Sequence, residues 1–125
     1  MRLNPDCIRD ILLYIESKTD SQIGFVNFEE LVNDLNTYDE NTLHYHVDQV
    51  LSYGLVHDVK YAENKPDYIL DLSPLGHNFL ADIRSDNIWT NTKSIAAKIG
   101  SVSLDSLIQI STGVLTQMIN KHLGY

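Results

Sequence analysis

The sequence has few of the features that secreted proteins require. It contains a single cysteine, so no disulfide can form within the chain, and a lone thiol in a small protein is typical of a reducing cytoplasm. The first residues contain no apolar core of signal-peptide length. We therefore expect a cytoplasmic protein.

Catalytic and metal-binding motifs are also missing. There is no Gly-rich phosphate loop and no Ser-His-Asp order that indicates a triad. His44 and His46 are two residues apart, which on a helix separates their directions by about 200° and prevents joint chelation. His44 and Asp48 are four apart and could share an ion, but further ligands are lacking nearby. We expect no enzymatic activity, no metal and no cofactor.

Positive charge is scarce where a DNA-binding surface would need it. The net charge is −8. Residues 1–72 hold five Lys or Arg against fourteen Asp or Glu, a balance of −9, whereas residues 73–125 hold four against three, a balance of +1. Because Lys and Arg contacts with phosphates supply most nonspecific DNA affinity, DNA would repel the acidic part. The charge balance argues against an ordinary repressor.

What remains is the composition of a globular domain that is 43% hydrophobic. Asn4 followed by Pro5 predicts the start of a first helix, which extends to about Ser17. Cys7 lies beside the inward stripe of this helix, so we expect a buried and inert thiol. The stripe consists of Ile8, Ile11, Leu12 and Ile15.

Two more helices are predicted before residue 54. The apolar segment from Ile23 to Val26 predicts a first strand, and Asn27 begins a capping box that starts a second helix. A third helix is predicted from Asp39 to Tyr53, with His44 and His46 on its flanks. Gly54 is the expected left-handed residue that ends it.

The segment after Gly54 predicts a two-stranded hairpin around a polar loop from Ala62 to Asp67. The side chains expected to face inward are Leu55, His57, Val59, Tyr61, Tyr68, Leu70 and Leu72. Helix, strand, helix, turn, helix and hairpin is the order of a winged helix-turn-helix domain, in which the third helix usually enters the DNA major groove. Residues 1–72 are therefore predicted to form a winged-helix core in a mainly α chain.

The outer surface of the third helix decides between possible functions. This helix has no Lys or Arg but carries the carboxylates of Asp39, Glu40 and Asp48. We therefore predict that this acidic surface contacts a basic patch on a partner protein more readily than it contacts DNA bases. The predicted contact surface, including two hairpin lysines, consists of Asn41, Tyr45, Asp48, Gln49, Ser52, Lys60 and Lys65.

Residues 73–125 are predicted to form a helical extension that packs on the core and dimerises. Ser73 caps a fourth helix, Ser85 or Asp86 a fifth, and Ser103 a final helix to about Leu123. Polar residues interrupt the last helix too often for it to span a bilayer. Pairing with a second copy is favoured over packing within the chain or lying on a membrane. The predicted pairing residues are Leu104, Leu107, Ile108, Val114, Leu115 and Met118.

The chain shares a set of segments with a known family, namely 3–12, 44–47, 54–55, 72–80, 83–84 and 87–89. In these segments it resembles a family of small phage and prophage proteins, domain-of-unknown-function family 2513. The segment 72–77, Leu-Ser-Pro-Leu-Gly-His, is also similar to the step that leaves the wing in many winged-helix regulators. The resemblance implies the fold and a phage origin, so the expected location is the cytoplasm of a bacterial host cell, and it assigns no catalytic or ligand residue.

Two functions from different classes remain, and a third is kept in which the winged helix is only a scaffold and the C-terminal helix acts by pairing or by touching lipid. The favoured one is a non-enzymatic phage or prophage accessory protein whose acidic winged-helix surface binds, and thereby inhibits or regulates, a host or phage protein. The alternative is a dimeric winged-helix DNA-binding regulator, with its cations supplied by Arg2, Arg9, Lys60 and Lys65. Neither function predicts a small-molecule substrate.

Overall fold

The computed structural model describes residues 1–124 as a mainly helical chain with a small antiparallel sheet, as predicted. The strand order in the sheet is β1-β3-β2. The chain forms two compact units, one from Met1 to His77 and one from Asn78 onward. The elements are α1 Pro5–Lys18, β1 Phe25–Asn27, α2 Phe28–Asp34, α3 Glu40–Ser52, β2 Val59–Ala62, β3 Lys65–Leu70, α4 Pro74–Ile83, α5 Asp86–Ile99 and α6 Leu104–Leu123.

Polar side chains before the helices determine where the helices begin. Asn4 and Asn27 each accept hydrogen bonds from two backbone amides in the first turns of α1 and α2. Asp39 accepts one in α3 at 2.7 Å, Ser73 one in α4 at 3.0 Å, and Ser103 one in α6 at 3.1 Å. These acceptors satisfy amides that lack a partner within the helix. The helix starts predicted from these residues are confirmed to within one residue.

The core of the first unit is formed by α1, the inner faces of α2 and α3, and the inner face of the sheet. Burial raises the pKa of the Cys7 thiol to about 12, helped by the nearby Asp10 carboxylate. The thiol therefore stays protonated, and the prediction of a buried Cys7 is confirmed. The largest fully buried side chains of this core include Ile8, Ile11, Leu12, Ile15, Leu31, Leu43, Leu55 and Ile69.

The turn of the hairpin is tighter than predicted. Strands β2 and β3 continue to a two-residue turn at Glu63 and Asn64, whose φ angles are 55° and 65°. Two consecutive positive φ angles are typical of a type I′ turn, whose twist matches that of the flanking strands. The predicted loop from Ala62 to Asp67 is therefore wrong, because its ends belong to the strands.

The predicted inward face of the hairpin is also partly wrong. Lys60 pairs with Tyr68 but Tyr61 pairs with Pro66, so β3 contains one extra residue at this step. Before this step the register is regular, and Val59 pairs directly with Ile69. Paired residues of antiparallel strands lie on the same face of the sheet, so Ile69 is fully buried with Val59, while the predicted Tyr68 is exposed with its partner Lys60. Of the other predicted residues, Leu55, Val59 and Leu72 are buried, Leu70 is intermediate, and His57 and Tyr61 are exposed.

In the second unit, α5 and α6 pack against each other. Gly100 ends α5 with a φ of 82° and donates its amide to the carbonyl of Ala96, as its predicted role requires. No helix in residues 1–124 is both long enough and apolar enough to cross a membrane. The buried residues of the two helices are Ile88, Trp89, Thr92, Ala96, Leu104, Leu107, Ser111 and Val114.

Candidate functional site

A polar groove of about 630 Å³ lies between α3 and the hairpin. No Lys or Arg of the described chain lines it. Of the predicted contact residues, Asp48 and Ser52 line the groove, whereas Asn41, Tyr45 and Gln49 lie elsewhere on α3. The lining consists of His44, Asp48, Leu51, Ser52, Tyr61, Glu63 and Asn64.

Asp48 connects the two walls of this groove. The Tyr61 hydroxyl of β2 donates a hydrogen bond to Asp48 Oδ1, and His44 Nε2 lies 3.3 Å from Asp48 Oδ2. Burial and the Asp48 carboxylate both raise the pKa of Tyr61, so the phenol keeps its proton and remains a donor. The Asp48 carboxylate thus joins the hairpin to α3.

The two lysines predicted on this surface each lie beside a carboxylate. Lys65 Nζ is 3.4 Å from Glu40 Oε1 at the start of α3. Lys60 Nζ is 2.9 Å from Asp58 Oδ2, two residues earlier in the chain. Lys60, followed by the Val59 amide, lowers the pKa of Asp58. Both pairs are exposed, so they add little stability, but they neutralise the local positive charge.

The other predicted contact residues of α3 lie on or near the surface. Asn41 and Ser52 are exposed, and Tyr45 and Gln49 are half-buried. The Tyr45 ring contacts the ring of His46 edge to face, with 5.0 Å between the ring centres. The predicted contact residues of α3 are therefore accessible, although only Asp48 and Ser52, in the C-terminal half of the helix, reach the groove.

A second, smaller cleft extends the acidic surface beyond α3. It has a volume of about 250 Å³ and lies between α2, the start of α3 and the hairpin. Glu29, Glu40 and Asp67 face it together with Lys65. Glu29, Asp67 and the groove residue Glu63 were not among the predicted contact residues, because they belong to three separate elements that only the fold brings together. The signals of them in the sequence were the −9 balance of residues 1–72 and the position of Glu63 and Asp67 on either side of Lys65 in the hairpin.

Most of the chain matches a known protein family. Residues 2–103 match the model of the family described as "Hypothetical protein (DUF2513)". The chain belongs to the DUF2513 family. A relative from Haemophilus influenzae, described as "Uncharacterized protein", is 31% identical over 122 residues, which cover 95% of this chain and 99% of the relative. No solved structure matches.

His46 of this DUF2513 member is fully buried, which corrects its predicted position on the flank of α3. His46 Nδ1 lies 2.7 Å from the carbonyl oxygen of Thr42, and Nε2 accepts the backbone N–H of Asn4 at 2.8 Å. Burial lowers the pKa of His46, and the Thr42 carbonyl opposes this only partly. The neutral imidazole therefore joins α3 to the residue that caps α1. Its partner Asn4 is 42 residues away, so no local pattern could have indicated the contact.

The predicted pairing residues of α6 fall into two groups. Leu104, Leu107 and Val114 are buried within a single chain, so a partner could reach them only if the helices separated. Ile108 and Leu115 are intermediate, and Met118 is exposed. The surface available for pairing is therefore limited to the C-terminal part of the predicted set.

No group of three or more His, Cys, Asp or Glu side chains in residues 1–124 is arranged to hold a metal ion. His44 and Asp48 are close, as their spacing suggested, but Tyr61 occupies the other carboxylate oxygen of Asp48. The groove presents carboxylates and other hydrogen-bonding side chains on its surface.

Proposed function

We propose that this DUF2513 member is a non-enzymatic interaction module, a winged-helix domain whose acidic surface binds a basic patch on a partner protein. The order α1, β1, α2, α3, β2, β3 and the antiparallel sheet support the winged-helix assignment. The observation that carries the proposal is the groove beside α3, which contains the carboxylates of Asp48 and Glu63 and no Lys or Arg from residues 1–124.

Electrostatics favour a basic partner for this surface. Asp48 is held in place by Tyr61, and the smaller cleft adds Glu29, Glu40 and Asp67, so carboxylates line both clefts that α3 forms with the hairpin. An arrangement of one sign accelerates encounter with the opposite sign and repels polyanions. A partner that handles nucleic acid itself carries such a basic patch. An accessory protein of a phage or prophage that regulates host machinery fits this role.

A second candidate function is a dimeric winged-helix DNA-binding regulator. The position of α3 beside a hairpin favours it, because this pair is the usual reading device of the fold. The pairing of Lys60 with Asp58 and of Lys65 with Glu40 opposes it, because both hairpin cations are already partly neutralised. Fold alone does not choose between these functions.

Charge reversal at two exposed acids tests the protein-partner proposal. Glu40 and Glu63 are chosen because Asp39 caps α3 and Asp48 bonds Tyr61, so reversing those two would disturb the fold. The variant Glu40→Lys/Glu63→Lys should lower recovery of the partner from nuclease-treated bacterial lysate roughly tenfold, as quantified by mass spectrometry.

The matched control is Asp105→Lys, which reverses an exposed acid in the second unit. It should recover the same partner as the wild type. Equal recovery by the wild type and by Glu40→Lys/Glu63→Lys would refute the proposal. In parallel, a mobility-shift assay should show no binding to phage or host promoter DNA. The assay is run at low salt, because electrostatic binding to DNA is strongest there. A salt-sensitive shift would favour the regulator instead.

A further inference from the structure

His44 adjoins both of the acidic clefts beside α3. It lies four residues after Glu40 and four before Asp48, so the three side chains share one side of the helix. Glu40 lines the smaller cleft, whereas Asp48 and His44 line the larger groove. The His44 ring also meets the ring of Phe28, a residue of the smaller cleft, with 6.4 Å between the ring centres. One imidazole is therefore next to both carboxylate-bearing surfaces.

The side chains that face His44 are acids, a phenol and an apolar ring. On α3, Asp48 Oδ2 lies 3.3 Å from His44 Nε2. On the hairpin, Glu63 lines the same groove, and Tyr61 donates to the other oxygen of Asp48. On α2 the neighbour is the Phe28 ring. Helix α1 packs on α3, but none of its residues, all of which the structure describes, lines the groove.

The two carboxylates beside His44 differ in their partners. Lys65 Nζ lies 3.4 Å from Glu40 Oε1, so the charge of Glu40 is already partly offset. Within residues 1–124 Asp48 has no Lys or Arg partner, and its oxygens are contacted by Tyr61 and His44. The charge that Asp48 presents to the groove therefore depends on whether the His44 imidazole is neutral or protonated.

His44 can exchange a proton with solvent while the chain stays folded. Its side chain is 28% exposed, in contrast to the fully buried His46. Histidine is the side chain whose charge ordinarily changes between about pH 5 and 8, whereas arginine keeps its charge there. A second proton on His44 adds a positive charge between Glu40 and Asp48 and reduces the negative charge of the groove.

We propose that His44 makes the acidic surface pH-sensitive, so that protonation of its imidazole releases a basic partner. This inference rests on the proposed function, because the partner is the basic protein patch that the same surface binds. The imidazolium pairs with Asp48 and repels the lysine and arginine side chains of the partner. Affinity therefore falls as the pH drops through the range in which histidine titrates, and it is highest where the imidazole is neutral.

Binding of a short poly-arginine peptide at pH 7.5 and 5.5 tests this proposal. The peptide carries a rhodamine label, and its guanidinium groups stay charged at both values, so a change in affinity reports on the protein. Fluorescence anisotropy with the full chain at constant ionic strength gives the Kd. The wild type should bind about two- to fivefold more weakly at pH 5.5, the effect expected of one exposed ion pair.

Three variants assign the effect to one side chain. His44→Gln stays neutral and should bind the peptide with the same affinity at the two pH values. His44→Lys is charged at both values and should bind weakly at both. The matched control is His57→Gln, at an exposed histidine that does not line the groove, and it should keep the full difference seen with the wild type.

The possible failures of the inference and of the proposed function are distinguishable. Equal binding by the wild type at both pH values would overturn the regulation by His44 and leave the proposed function in place. A loss at pH 5.5 that persists in His44→Gln would also overturn it, because the acid effect would then come from another group such as the buried His46. If Glu40→Lys/Glu63→Lys bound the peptide as well as the wild type at pH 7.5, the proposed function itself would be contradicted, and the inference with it.

Discussion

The two units of the chain hold their helices together by different means. In the first unit, tyrosine hydroxyls reach across the fold: Tyr14 of α1 donates to Asp34 of α2 at 2.8 Å, and Tyr38 donates to Asp10 at 2.7 Å. In the second unit, the buried Thr92 donates to a carbonyl four residues back in its own helix. The first unit is thus fixed by specific long-range polar contacts, and α5 and α6 pack through apolar and small side chains.

This difference shows that the acidity of the first unit is partly structural. Many of its carboxylates accept hydrogen bonds that the fold requires, so the −9 balance overstates the charge available to a partner. Carboxylates that accept from a tyrosine are Asp10, Asp34 and Asp48, and those that accept from backbone amides include Asp20 and Asp39. The exposed glutamates Glu29, Glu40 and Glu63 accept no such hydrogen bond from a tyrosine or a backbone amide, so they are the better candidates for recognition.

The same substitution should have opposite effects in the two units, and the largest effect is expected at Gly76. A Cβ atom at this position would lie 1.9 Å from the Leu55 carbonyl oxygen, and backbone atoms cannot move aside cheaply. Gly76→Ala should therefore lower the free energy of unfolding by about 3 kcal/mol or more. Urea denaturation followed by circular dichroism measures the change.

Gly113→Ala is the matched variant on α6. No atom lies within 4 Å of a Cβ placed there, and alanine is the better helix former. This variant should gain about 0.5–1 kcal/mol in the same assay. A tolerated Gly76→Ala would mean that α4 can shift from the chain at Leu55, and the first unit would then be less tightly specified than its contacts indicate.

The range of each contact along the chain explains what the sequence could predict. Asn4, Asn27 and Ser103 act on amides two or three residues away, so helix starts follow from local pattern. The burial of His46 and the choice of Ile69 over Tyr68 as the inward residue depend on contacts or registers formed across the fold. The acidic groove could be predicted only in part for the same reason. Asp48 was predicted from the pattern of α3 alone, whereas Glu63 belongs to the hairpin turn and reaches the groove only in the folded chain.

Acid should weaken the first unit through His46, with a smaller effect than at Gly76. The folded state lowers the pKa of His46, so its contribution is complete above the unfolded value of about 6.5 and is lost as pH falls toward the folded value. A second proton would place an N–H at Nε2 against the N–H of Asn4. The free energy of unfolding should fall by up to about 1.4 kcal/mol per pH unit below 6.5.

Hydrogen exchange at pH 7.5 and 5.5 locates this effect. Peptides from α1 and α3 should lose protection at the lower pH, whereas peptides from α6 should not. His46→Gln should remove the pH dependence between these values, and His57→Gln, at an exposed histidine, should keep it. Equal losses in α1 and α6 would show that the two units respond to acid together and would remove the contrast between them.

The smallest structural effect is expected at Lys65, where the functional consequence discriminates most sharply. Its pair with Glu40 is exposed, so Lys65→Gln should change the free energy of unfolding by less than about 1 kcal/mol. The substitution releases Glu40 and makes the acidic surface more negative.

If that surface binds a basic protein, recovery of the partner should rise about two- to fivefold, because roughly 0.5–1 kcal/mol of attraction is added. If α3 and the hairpin read DNA, the loss of a cation should weaken DNA binding by a similar factor. Lys98→Gln makes the same charge change on α5 and should affect neither measurement, so the sign of the Lys65→Gln effect separates the two functions.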